Sequence, residues 1–188
     1  MSSKINVMDI IAGHFRTLIH SSSNKLCFAD LFTFLLLPLL ISIVSVWGGF
    51  KFSDQLISLL VNFGAIFTAL LLSVLVLVYD QGTKLEDKIA SNANSVNINV
   101  IDGIKKKLLD QLYYNICYSI VVSVLLIVFC FIEVITRNKI IELNYFDINL
   151  DFNRYLIMPI VVFIATNLML TIVMIVKRMH TVLTAART

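Results

Sequence analysis

The sequence has little charge. Only 14% of its 188 residues are charged, whereas an average soluble domain is about a quarter charged. Hydrophobic residues make up 59% of the chain, and the mean hydropathy is +0.90. They are concentrated in four long runs that contain no Asp, Glu, Lys, Arg or His. This distribution predicts an all-α polytopic membrane protein.

The lack of ionisable residues inside these runs excludes several classes of function. Proton-coupled transporters, ion pumps and voltage sensors need ionisable groups within the bilayer. The four-span multidrug exporters depend on an acidic residue in their first span, which is absent here. No P-loop, GxSxG, HExxH or glycine-rich phosphate loop occurs. We therefore expect no enzymatic activity, no catalytic residues and no cofactor.

Cysteine is also scarce. The three cysteines, Cys27, Cys117 and Cys130, are odd in number and form no CxxC pair. We expect them to be small residues in the core or facing lipid, and neither disulfides nor metal ligands. His14 and His20 lie six residues apart, which is not a helical ligand spacing, so no metal site is predicted.

The four runs predict four spans, at about residues 31–47, 56–79, 112–132 and 155–176. They form a membrane domain over residues 26–188, arranged as two antiparallel hairpins. Pro38 lies inside span 1, where it frees one backbone carbonyl. Either Ser42 or a neighbouring span is expected to satisfy that carbonyl.

Residues 1–25 predict an amphipathic cytoplasmic segment. Asp9, Gly13, Arg16 and His20 fall opposite its apolar face. Two placements are open: on the cytoplasmic leaflet, or packed under the bundle or a partner. The apolar face consists of Ile5, Met8, Ile11, Ala12, Phe15, Leu18 and Ile19.

The longest polar stretch, residues 80–110, predicts a helical hairpin that protrudes from the membrane. Its central residues 91–99 are rich in Asn and Ser, which favours a turn there. Its lysines suggest either an anchor that also meets anionic lipid or a docking patch for an acidic soluble partner. They are Lys84, Lys88, Lys105, Lys106 and Lys107.

The positive charges predict the orientation. Eleven of the 15 Lys and Arg residues lie in the N-terminal segment, the central hairpin and the C-terminal tail. Only four lie in the two loops on the other side, 48–55 and 136–154. The positive-inside rule therefore places both termini and the hairpin in the cytoplasm.

Span 2 carries small and polar residues on one helical face, which is typical of helix–helix contacts in lipid. That face either packs within the chain or forms a subunit interface. It consists of Ser58, Asn62, Ala65, Ala69 and Ser73. In span 4, Asn167 and Thr171 lie four residues apart, and Asn167 is expected to bond Asn62 or the Asn167 of another copy.

The loop at 136–154 is the longer of the two extracytoplasmic loops. Phe146, Ile148, Leu150 and Phe152 alternate there with polar residues, which predicts a strand or an extended segment with one wet face. These four residues are our candidates for extracytoplasmic sensing.

The runs LFTFLLLPLLISI and LVNFGAIFTALLLSVLVLVYDQ, a Lys- and Asn-rich hairpin and two further spans resemble small membrane proteins of bacterial anti-phage defence loci. Among these, the chain resembles the KwaA membrane subunits of the Kiwa system, and the resemblance covers the architecture of the whole chain. It implies a multi-pass inner-membrane homo-oligomer, with a tetramer favoured, that senses phage at the envelope. It also implies a soluble DNA-binding partner such as KwaB, and it implies that the chain itself binds no nucleic acid.

Two functions stay open. The first is the sensor and scaffold that recruits a soluble effector. The second is a pore-forming effector of an abortive-infection or CRISPR-associated system, because accessory membrane proteins of RNA-targeting CRISPR systems have a similar layout. In that case Asn62, Ser73, Asn167 and Thr171 line the lumen.

Overall fold

The computed structural model describes residues 7–18, 32–91, 100–137 and 153–185. Within these ranges every regular element is helical, and no strand occurs. The predicted all-α class is therefore confirmed. The helices are α1 (Met8–Thr17), α2 (Leu37–Trp47), α3 (Asp54–Ser91), α4 (Val100–Thr136) and α5 (Met158–Ala185). A π-helical turn precedes α2 at Phe32–Leu36 and another precedes α5 at Asn153–Ile157.

Three helices are long and apolar enough to cross a membrane, over Asp54–Ser91, Asp102–Thr136 and Asn153–Val182. The predicted spans 56–79, 112–132 and 155–176 lie inside them. The apolar helix Phe32–Trp47 is shorter and covers most of predicted span 1. Helix α3 runs on to Ser91 and α4 begins at Val100, so the hairpin arms are helical as predicted.

The first of two compact units contains α1, α3 from Ala69 onward, α4 up to Ile120 and α5 from Thr171 onward. Buried side chains from the three long helices form its core, and the partly buried Leu85, Met179 and Val182 extend that core toward the polar end. The polar ends of these helices are therefore packed together. The buried core residues are Leu71, Val78, Leu109, Leu112, Ile116 and Ile175.

The second unit contains α2, α3 up to Thr68, α4 from Val121 onward and α5 up to Leu170. In it, α3 meets α4 at Gly64, where an added Cβ would lie 3.3 Å from the carbonyl oxygen of Ser123. The Thr68 hydroxyl lies 2.6 Å from the Ser123 hydroxyl. Close approach at a glycine beside a hydroxyl pair is typical of helices that pack in lipid.

Pro38 determines how α2 meets α5 in this unit. Because Pro38 has no amide hydrogen, the Phe34 carbonyl loses its helical donor. The side chain of Asn167 on α5 donates to that carbonyl at 2.9 Å. A neighbouring helix therefore supplies the compensation, whereas the Ser42 hydroxyl donates to the Pro159 carbonyl at 2.7 Å. The predicted bond between Asn167 and Asn62 is replaced by this contact within the chain.

Helix α1 is amphipathic as expected, but the face that it buries differs from the prediction. Gly13, His14 and Thr17 are buried, whereas Met8 and Phe15 are exposed. The prediction that Gly13 points away from the packed face is wrong, because its missing side chain admits the Tyr114 ring: an added Cβ would lie 2.6 Å from ring Cε1. Helix α1 thus packs on its own chain and leaves apolar residues on its outer side.

Candidate functional site

One side of α3 is exposed along much of its length. All five residues of the predicted contact stripe lie on it, and we call them the outer face of α3: Ser58, Asn62, Ala65, Ala69 and Ser73. The chain buries 17% of the most apolar stretch of α3, against 33% for the corresponding stretches of α4 and α5. The contacts of α3 within the chain are made instead by the other side of the helix, at Gly64 and Thr68.

The polar residues proposed to line a lumen do not share one surface. Asn62 and Ser73 are exposed on α3, whereas Asn167 and Thr171 are buried within the chain. The Asn167 amide is already engaged by the Phe34 carbonyl. Of the four proposed lining residues, only Asn62 and Ser73 are therefore exposed in this conformation.

The three consecutive lysines of the hairpin point in different directions, because successive residues of an α-helix are about 100° apart. Lys106 Nζ lies 2.9 Å from Glu86 Oε1. Lys107 lines a cavity beside α1, while Lys105 lines a different groove with Lys84 and Lys88. The lysines of the hairpin therefore form no single docking patch.

The groove at Lys105 is a largely apolar concavity of the first unit. Its volume is about 520 Å³, and four apolar residues, three lysines and one glutamine line it. We call it the lysine groove. The lining residues are Leu77, Gln81, Lys84, Leu85, Lys88, Lys105, Leu109 and Val182.

Two of its lysines have acidic neighbours that do not themselves line the groove. Lys84 Nζ lies 2.7 Å from Asp80 Oδ2, one helical turn earlier. Lys88 Nζ lies 3.3 Å from both carboxylate oxygens of the buried Asp102. Lys105 makes no ion pair with any residue that the structure describes. The groove wall therefore carries positive charge and no carboxylate.

A buried polar cluster docks α1 onto α4. The His14 ring stacks on Tyr118 with the centroids 3.8 Å apart, and its Nδ1 lies 2.9 Å from Asn115 Oδ1. The Thr17 hydroxyl donates toward the same oxygen at 2.9 Å. From α5, the guanidinium of Arg178 donates to the Thr17 carbonyl at 2.9 Å. Three side chains of α4 and α5 thus fix one short helix.

Burial of the cluster changes the acidity of His14. Desolvation lowers the pKa of His14 to about 4, and the positive charge of Arg178 acts in the same direction, while the hydrogen bond to Asn115 opposes them. The imidazole is therefore neutral at pH 7. Sequence reasoning missed this role, because the spacing of His14 was tested only for metal binding.

A second network, which we call the carboxylate clamp, joins three helix ends in the second unit around the buried Glu133. Arg137 Nε lies 3.1 Å from Glu133 Oε1, and Arg137 Nη2 lies 3.1 Å from Glu133 Oε2. Arg137 Nη1 pairs with Asp54 at the start of α3, and Asn153 Nδ2 donates to Glu133 Oε1 at 3.3 Å. Sequence reasoning missed the clamp, although an acid four residues before an arginine at the end of an apolar run is a readable signal.

Phe146, Ile148, Leu150 and Phe152, the candidates for sensing, lie outside the described residues. Cys117 and Cys130 are free thiols.

The described structure is thus an all-α protein with three helices of membrane-spanning length. No protein-family model, no curated protein and no solved structure matches the chain.

Proposed function

We propose that the chain is a self-associating sensor and scaffold of the bacterial inner membrane. In this proposal it has four spans, with both termini and the helical hairpin in the cytoplasm. The loop 136–154 senses a change at the envelope, and the cytoplasmic end holds a soluble DNA-binding effector. The resemblance to the KwaA subunits supports a place in anti-phage defence with a partner of the KwaB kind.

The observation that carries the proposal is the outer face of α3. It exposes the Asn62 amide from a helix long enough to cross a membrane, and an amide in hydrocarbon costs several kcal/mol without a hydrogen-bond partner. The small residues Ala65 and Ala69 beside it allow another backbone to approach closely. A second copy of the same face supplies both the close packing and a hydrogen-bond partner.

The cytoplasmic end suits a scaffold because it is packed. Leu85, Leu109 and Val182 continue the core of the first unit among the polar ends of α3, α4 and α5. A soluble protein then meets a preformed surface, which reduces the entropy lost on binding.

The pore-forming alternative is less well supported. Its proposed lining requires Asn167 and Thr171 to face the lumen, and both are buried inside the chain. A pore therefore requires α5 to rotate and Asn167 to release the Phe34 carbonyl.

The subunit interface is tested by cross-linking in membranes. In a variant without the native cysteines, Ala69→Cys should form disulfide-linked dimers under mild oxidation. Adding Ala65→Leu should reduce the linked fraction about tenfold, since overpacking a tight contact costs about 1–3 kcal/mol.

Leu70→Phe is the matched control. Leu70 is exposed at the same depth of the same helix, about 100° around the axis from Ala69. Leu70→Phe, added to Ala69→Cys, should leave the disulfide-linked fraction unchanged. No dimer from Ala69→Cys, or equal loss in both variants, would remove the outer face from the proposal.

A further inference from the structure

We propose that the lysine groove is a binding site for one anionic phospholipid of the cytoplasmic leaflet. Its Lys105 holds the phosphate, and its leucines contact the upper part of an acyl chain. The site is separate from the outer face of α3 and does not depend on self-association.

The groove has the chemistry of a lipid site. One part of its wall is apolar, with Leu77, Leu85 and Leu109, and the other part presents Lys84, Lys88 and Lys105. No carboxylate lines the groove itself. Asp80 and Asp102 already partner Lys84 and Lys88, which leaves Lys105 to meet an anion. Basic pockets between membrane helices bind lipid head groups for the same reason.

The depth of the groove favours a lipid over a soluble helix. Its lower end is Leu77, close to the exposed Tyr79 where the apolar run of α3 ends. Lys84 lies seven residues after Leu77, about 10 Å further along the helix. The head-group layer extends roughly 5–8 Å beyond the hydrocarbon on each side, so a flexible lysine at that height reaches a phosphate.

The surface below the groove is continuous with it. Leu70 and Leu77 of α3 are both exposed and lie seven residues apart on the same side of the helix, so they extend the apolar wall from the groove into the predicted span. A phospholipid lying along this surface stays at its normal depth while its phosphate meets Lys105. A soluble acidic helix has no such reason to occupy the membrane end of the groove.

Lys105 and Lys106 provide a matched pair of variants. They are neighbours in sequence with the same charge, but only Lys105 lines the groove, whereas Lys106 is paired with Glu86. Lys105→Gln should therefore weaken the binding of phosphatidylglycerol about fivefold, the factor that corresponds to about 1 kcal/mol per basic residue near an anionic surface. Lys106→Gln should change it less than twofold.

The experiment is native mass spectrometry of the purified full chain, titrated with phosphatidylglycerol or with phosphatidylcholine of the same acyl chains. The proposal expects the wild type to retain one phosphatidylglycerol in preference to phosphatidylcholine, and Lys105→Gln to lose that preference. Equal retention of the two lipids by the wild type would overturn it. Equal losses from Lys105→Gln and Lys106→Gln would also overturn it, because they would indicate general charge attraction.

A soluble occupant is distinguished in the same preparation. If a co-purifying protein leaves on Lys105→Gln while the lipid preference is unchanged, the groove binds a protein helix and the lipid proposal is wrong. The helical content of each variant, measured by circular dichroism, should match the wild type, since all the substitutions are at polar positions on the surface.

Discussion

Arg137→Met is expected to lower the stability of the detergent-solubilised protein by about 1–3 kcal/mol. The reason is the carboxylate clamp, in which Glu133 is only 3% exposed. Without the guanidinium, Asn153 is the only described side chain that still bonds the buried Glu133 carboxylate. Removing the partner of a buried carboxylate leaves an uncompensated charge, and the cost is moderated here because Arg137 itself is 29% exposed.

The effect is measured as the apparent unfolding temperature, from the reaction of a thiol-specific dye with the buried Cys130. Lys51→Met is the control: Lys51 lines one cavity with Glu133 and Arg137 but is exposed, so its loss should change stability by less than about 0.5 kcal/mol. Adding Glu133→Gln to Arg137→Met should restore much of the stability by removing the orphaned charge. A variant Arg137→Met as stable as the wild type would contradict the clamp.

Acidification from pH 7.5 to pH 5 is expected to weaken the docking of α1 by about 2 kcal/mol. In the docked helix the pKa of His14 is lowered from 6.5 to about 4. The undocked helix therefore takes up a proton first as the pH falls. The contribution of His14 to docking is complete above pH 6.5 and is lost progressively as the pH falls toward 4.

A nitroxide attached at Ala12→Cys reports the docking, because Ala12 is exposed beside the buried cluster. We expect the label on the otherwise cysteine-free protein to become mobile between pH 6.5 and 5. His14→Gln keeps a polar group that does not titrate, so its label should show no change over this range. Equal pH responses in the two proteins, or none in either, would show that His14 does not control the helix.

The long helices were predictable because hydropathy and length determine them. Runs of about 20 apolar residues must satisfy their backbone within themselves when they enter lipid. The extension of α3 to Ser91 followed from the helix-forming residues beyond Tyr79, and the start of α4 from the spacing of Ile104 and Leu108. Pro38 likewise predicted a freed carbonyl, although not the Asn167 amide that satisfies it.

The directions of the side chains were less predictable. In lipid, an apolar residue gains little by facing another helix, so hydropathy does not separate buried from exposed positions. This is why the stripe from Ser58 to Ser73 left two interpretations open. The buried side of α1 depends on Tyr114 and Asn115, about a hundred residues away, and no local pattern encodes that contact.

The grouping of the lysines depends on the same long-range geometry. Residues 105–107 are one charge run in the sequence, but the helix turns them toward a groove, an ion pair and a cavity beside α1. The lysines of a basic run on a helix therefore have to be separated by the side of the helix that each one faces before a partner is assigned to them. Lys105 and Lys106 have different expected roles for this reason.

The central claim is that the chain works as a self-associated membrane scaffold. The most direct test is to purify the tagged wild type from membranes in mild detergent and measure its mass by mass photometry, with mass spectrometry on the same sample. We expect a defined homo-oligomer that carries a soluble protein in fixed ratio. A monomer with no companion, at the concentration found in membranes, would contradict it.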